Sequence, residues 1–218
     1  LFGETDPSYE TDLSASGGSE ATRYFVSGLI KRDAGIMKNT GYDKQSVRAN
    51  LSQNFSRRLT LDVNSSFVHS NTRRGLTNND NSGTSYYMVL PFTPSFARLQ
   101  PVNGDYPANP FERSNPIQTR DLLQNVEEVY RFTGAANARY SVFARERQTL
   151  ELNLNGGIDQ FSQRNDIFSP NELLFEPQDG LPGTTVRGAA GNVNSNLNFS
   201  AVHTFTPASG FLTATTSA

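Results

Sequence analysis

Apolar and polar residues alternate strictly along much of this chain. From Leu59 the run Leu59, Leu61, Val63, Ser65, Phe67 lies on one side, against Thr60, Asp62, Asn64 and Ser66, with Val68 as the exception. Before Ser56-Arg57-Arg58 the same beat runs through Val47, Ala49, Leu51 and Phe55, against Ser46, Arg48, Asn50, Ser52 and Asn54. A period of two marks a strand with one apolar and one polar face. Two such runs across a tight turn predict a long hairpin. The pattern recurs in Tyr9–Ser16, in Ala21–Arg32 after the turn Gly17-Gly18-Ser19-Glu20, and from Tyr130 through Phe132, Gly134, Ala136 and Ala138 to Tyr140. It returns in Leu150–Ile158 and Val193–Phe205, and begins again near Phe211 beyond the turn Pro207-Ala208-Ser209-Gly210.

The connections between these runs alternate in length. Asp33–Gly41 is modest, 72–125 is very long and Pro-rich, and 164–190 is long, while the others are short turns. One short helical turn is expected near Thr84–Leu90. A transmembrane β-barrel puts short turns on the periplasmic side and long loops outside, and strands of about 9–11 residues suit its bilayer. The expected fold is therefore all-β: an antiparallel transmembrane barrel segment of about eight strands, with extracellular loops at 72–125 and 164–190. The aromatics predict two girdles, Tyr24, Phe55, Tyr140 and Phe205 beside the short turns and Phe67 and Tyr130 beside the long loops. Arg23, Lys31, Arg48, Asp62, Arg131 and Arg139 fall on the polar faces, where they would line a wet lumen or meet a plug. Arg23, Arg131 and Arg139 are placed for plug contact.

Composition narrows the picture. Apolar residues make up 35% and charged residues 18%, with Asn, Ser, Thr, Gln and Gly filling the deficit, as suits a sheet with one wet face. A net charge of −2 gives no electrostatic footprint for nucleic acid. The absence of cysteine removes disulfides, thiolate metal sites and cysteine nucleophiles. No apolar run is long enough for a membrane helix, no signal peptide or initiator Met is present, and both ends look cut, so 1–218 reads as an internal segment of a longer barrel.

The stretch from Ser16 to Ser70 resembles the barrel of SusC/RagA-like TonB-dependent outer-membrane transporters. The resemblance rests on Ser16–Ser27 (SGGSEATRYFVS), Gly35–Leu51 (GIMKNTGYDKQSVRANL) and Arg58–Phe67 (RLTLDVNSSF), with Asn109-Pro110 matching an element ahead of a later strand. It implies a 22-stranded barrel around an N-terminal plug, energised by TonB–ExbB–ExbD and often covered by a SusD-like surface lipoprotein. The implied cargo is oligosaccharide or peptide. Neither plug nor TonB box lies in 1–218. A small self-contained outer-membrane barrel and a secreted soluble ligand-binding β-domain are the rival readings.

Catalytic chemistry finds no footing. His69 and His203 have no Ser or Asp spaced for a triad, and Glu127-Glu128 point to opposite faces of a strand. Asn78–Gly83 begins like a calcium loop, but Val89 stands where the twelfth-position glutamate belongs. No cofactor is expected. The sequons at Asn50, Asn54, Asn64 and Asn198 read as small polar wall residues. The candidate contact residues are the rings Tyr86, Tyr87, Phe92, Phe96, Tyr106 and Phe111 of the long loop, since binding concentrates on loops held by a rigid scaffold. They would stack on a ligand or meet a lid protein, unless they form the loop's own small core.

Overall fold

The computed structural model describes residues 1–3, 5–78, 80, 82–176, 181–208 and 213–217. Eight antiparallel strands form one sheet in sequence order: β1 (Tyr9–Gly18), β2 (Thr22–Ala34), β3 (Gly41–Asn54), β4 (Leu59–Arg73), β5 (Gln124–Arg145), β6 (Gln148–Ser169), β7 (Thr184–Phe205) and β8 (Ala214–Ser217). Among the described residues β1 does not pair with β8, so the sheet is open. Within the turn after β7, Ser209 and Gly210 lie outside the described residues, as do Phe211 and Leu212.

The alternation seen in sequence becomes two continuous faces. One register row reads Tyr24, Leu51, Val63, Ala136, Gly156, Leu197; the next row, on the other face, reads Arg23, Ser52, Asp62, Asn137, Asn155, Asn198. Neither face is covered. Leu13, Leu197 and Phe199 are 75%, 74% and 66% exposed. The buried apolar side chains Met37, Tyr86, Val89, Leu99, Ile117, Leu123 and Leu173 all lie in connections, none in a strand. Backbone pairing therefore holds the wall together, without a core beneath it.

Tight turns close one side. At Gly18, φ is +153°, and a Cβ there would meet the Thr22 carbonyl oxygen at 2.1 Å, so only glycine fits. Arg58 and Leu59 donate their N–H groups to Ser56 Oγ in the β3–β4 turn, each at 3.1 Å. Among the described residues no helix is long and apolar enough to cross a membrane, which says nothing about crossing by strands.

Three strands depart from the expected length. β5, β6 and β7 each run for 22 residues, not about ten, and the second long loop shrinks from 164–190 to 170–183. The added rungs have polar residues on both faces, so period two is invisible there in the sequence. Charge pairs dress them instead: across strands Arg164 to Glu128 at 3.2 Å and Arg187 to Asp166 at 2.6 Å, and along β6 Arg164 to Asp166 at 2.9 Å. The short helical turn falls at Tyr86–Val89 (α1) and continues as a 3₁₀ turn over Leu90–Phe92. A second helix, α2 (Pro116–Leu122), was not expected from the Pro-rich run.

Candidate functional site: the loop-side cap

The three connections opposite the tight turns converge into one small packed body. Asn115 organises it. Its Oδ1 accepts from the N–H groups of Ile117 (2.9 Å) and Gln118 (3.3 Å), capping α2, with Pro116 preset for the first helical position. Its Nδ2 donates to the carbonyls of Leu99 (2.8 Å) and Pro107 (2.9 Å). Asn109 works in the same manner, donating to Thr93 Oγ1 and the Ser114 carbonyl and accepting from the Phe111 N–H. Two asparagines thus fold a proline-rich segment whose prolines lack N–H groups of their own.

Further contacts tie the connections together. Gln118 Nε2 donates to the Glu172 carbonyl at 2.7 Å, and its Oε1 accepts from the Leu174 N–H at 3.1 Å, binding the 170–183 connection to α2. Asn39 Nδ2, in the 35–40 connection, donates to the Arg120 carbonyl at 3.1 Å. Gly75 is required twice over: its φ is +60°, and the Tyr86 ring would lie 3.0 Å from any Cβ at that position.

The six expected contact rings separate. Tyr86 is 1% exposed, and burial pushes its hydroxyl pKa up to about 12. It is a core residue of the cap and has no face free to stack on a ligand, which corrects its assignment as a contact residue. Tyr106 is half-buried, its hydroxyl donating to Asp121 Oδ2 at 2.8 Å. Burial, then the neighbouring Asp121, raises its pKa. Tyr87, Phe92, Phe96 and Phe111 are exposed, with Phe96 the most open at 77% and set edge-on to Phe111 at 6.0 Å.

Asp80 explains the oxygen-rich stretch that resembles a calcium loop. Oδ1 accepts from the Ser82 N–H, the Ser82 hydroxyl and the Thr84 N–H, and Oδ2 from the Ser85 N–H. Burial works to raise this carboxyl's pKa, but the hydrogen bonds from Ser85 and Ser82 outweigh it and hold it well below the usual range. Its acceptor capacity goes to shaping the loop. Asn79 and Asn81 lie outside the described residues, and among the described residues no group of three metal-binding side chains gathers.

On the sheet, register places Arg23, Lys31, Arg48, Asp62, Arg131 and Arg139 on one face. Arg131 grips Asp159 with two bonds (2.9 and 2.6 Å), and Lys31 meets Glu10 and Asp33. Tyr24, Phe67, Tyr130 and Tyr140 lie on the opposite face, as does Phe205, and all remain exposed; Phe55 is exposed in the β3–β4 turn. Tyr130 stacks on His69 at 4.4 Å, and His69 bonds Gln45 and Glu128.

The fold has solved counterparts. The chain is similar to the RagAB peptide importer in its closed-closed state, with 20% identity and a TM-score of 0.66, over 91% of this chain and 22% of that one. It is similar at 19% identity and TM-score 0.63 to the RagAB peptide transporter and to the importer in its open-open state, again over 22% of each. The likeness establishes the fold, and the chain spans about a fifth of the length of those chains. No protein-family model and no curated protein matches it.

Two outcomes test the cap. Asn115→Ala removes a helix cap and orphans two buried carbonyls, which is expected to cost about 2–4 kcal/mol of local stability. Limited proteolysis within 74–123 should accelerate while the strands stay protected. Asp80 has a folded pKa below its unfolded one, so it stabilises the cap fully above the usual carboxylate range and loses this contribution as pH falls through the folded value. Hydrogen exchange at Ser82–Ser85 should therefore rise under acid, and Asp80→Asn should flatten that dependence.

Proposed function

We propose that this chain is part of the barrel wall of a TonB-dependent outer-membrane transporter importing nutrients such as oligosaccharides or peptides. One observation carries the reading: an uncovered apolar face without a single charge between its two aromatic rows. On β5 those rows are Tyr130 and Tyr140, ten residues apart. At about 3.3 Å per residue and a tilt of 35–45°, that spacing amounts to roughly 25 Å, the height of the apolar band of an outer-membrane barrel. On the loop side, charge begins on this face only beyond the band, in the row Arg32, Asp43, Asn71, Glu128, Arg164.

The apolar face then meets lipid, and the amide- and arginine-rich face lines the lumen or meets a plug. An open sheet supports membership of a larger barrel over a small self-contained one, because edge N–H and C=O groups in lipid cost several kcal/mol each. A soluble domain is disfavoured by strands with no core against them. Energy from TonB–ExbB–ExbD would enter through a plug elsewhere in the polypeptide, and a SusD-like lipoprotein would sit over the cap. The chain's role is that of a channel wall and loop platform, with no catalytic part.

The complete reading frame should encode a plug, a TonB box and about fourteen further strands around this segment. In the intact protein, Val26→Arg, at mid-band, should cost about 2–4 kcal/mol of folding free energy in vesicles, against about 0–1 for an arginine at the band's edge. Urea titration of reconstituted protein measures both, and equal costs at the two depths would refute the lipid-facing assignment. Alanines at Phe96 and Phe111 should lower nutrient uptake several-fold in cells whose barrel still folds. Unchanged uptake and unchanged lipoprotein capture would remove these rings from the contact surface.

A further inference from the structure

The β5–β6 hairpin contains the sheet's one register shift among the described strands. Tyr140 pairs with Leu152 and Ser141 with Glu151, but Phe143, not Val142, pairs with Leu150. A bulge of this kind re-aims the side chains that follow it. Without it Phe143 and Arg145 would fall on the polar face with Ser141. With it, Phe143 shares a row with Leu150 and His203, and Arg145 shares one with Gln148 and Phe205, both on the apolar face. The consequence is a cation at the turn-side aromatic row.

The cation is built in. The Arg145 guanidinium carbon lies 5.6 Å from the Phe143 ring centroid, a cation–π distance. On that ring's other contact, His203 packs edge-on at 6.4 Å. Among the described residues Arg145 has no carboxylate within ion-pair reach. The opposite border of the same face differs. There Arg32, Arg73, Arg164 and Arg187 are each matched by Asp or Glu. One border of the band is self-neutralised and the other offers open N–H donors.

We propose that Arg145, steadied by Phe143 and flanked by His203, binds the phosphate of an anionic phospholipid in the leaflet on the short-turn side. A guanidinium stacked on a ring keeps its edge N–H groups free, and their fork matches two phosphate oxygens. The ring row puts those donors at headgroup depth, where a cation near an anionic surface gains about a fivefold preference. Arg147 lies in the adjoining turn beside the exposed Glu146, and Arg57 and Arg58 lie one hairpin away, so arginines outnumber carboxylates at these two turns. The bulge is the device that spends a regular rung of the ladder on this placement.

The proposal rests on the barrel reading, and one experiment separates the two. The intact protein is reconstituted into phosphatidylcholine vesicles doped with phosphatidylglycerol, and the lipid it retains is counted by native mass spectrometry. Wild-type protein should keep phosphatidylglycerol enriched over the bulk, Arg145→Gln should lose about fivefold of that enrichment, and Arg145→Lys should recover part of it. Deleting Val142 removes the extra residue but leaves Phe143 opposite Leu150 and Arg145 opposite Gln148 on the apolar face, so that variant should keep the wild-type enrichment. Equal enrichment in wild type and Arg145→Gln, with both inserted and folded, overturns the lipid site alone. Failure of wild type to insert into either vesicle overturns the barrel reading itself.

Discussion

The wall depends on satisfying its backbone laterally, strand to strand, with nothing beneath to share the load. Every residue of a strand brings one donor and one acceptor, and a ladder in simple sequence order pairs them without crossovers. In an ordinary domain a hydrophobic core would decide which face turns inward. Here both faces of the sheet stay open, and the buried apolar side chains sit in the connections. That distribution makes sense where the surrounding medium on one side is itself apolar, since leucine and phenylalanine then need no partner within the chain.

The cap follows a different physics. It is a compact body of loops, stabilised by buried amide side chains that substitute for the N–H donors prolines lack. Asn115 and Gln118 bond backbone carbonyls of other segments, and Asn109 bonds the Thr93 hydroxyl and the nearby backbone of Phe111 and Ser114. This divides the aromatic residues of the long loop into two populations, Tyr86 inside and Tyr87, Phe92, Phe96 and Phe111 outside. A rigid platform with exposed rings is suited to contact, whereas a slack loop would lose ordering entropy on every encounter.

The two borders of the apolar band are chemically unlike. On the loop side, long strands continue past the band and carry arginine–carboxylate pairs between neighbours. On the turn side, the strands stop promptly, and a bulge delivers Phe143 and Arg145 to the apolar face beside His203. One border pairs its cations with neighbouring carboxylates, and the other leaves Arg145 without a carboxylate among the described residues.

Period-two alternation by itself determined the strands, their turns and the assignment of Arg23, Arg48, Asp62, Arg131 and Arg139 to one face, because side-chain direction in a strand depends only on parity. The motifs of Ser16–Phe67 pointed to the transporter barrel whose fold the RagAB chains share. The tertiary structure alone decided the rest. It extended β6 and β7 through stretches in which polar, small and apolar residues mix on both faces and so leave no periodic trace. It buried Tyr86 while leaving Phe96 open, which depends on which segments meet, not on residue type. It also reversed the parity of Phe143 and Arg145 through one extra residue, a change that no alternation pattern can register, since the pattern assumes the very regularity that the bulge breaks.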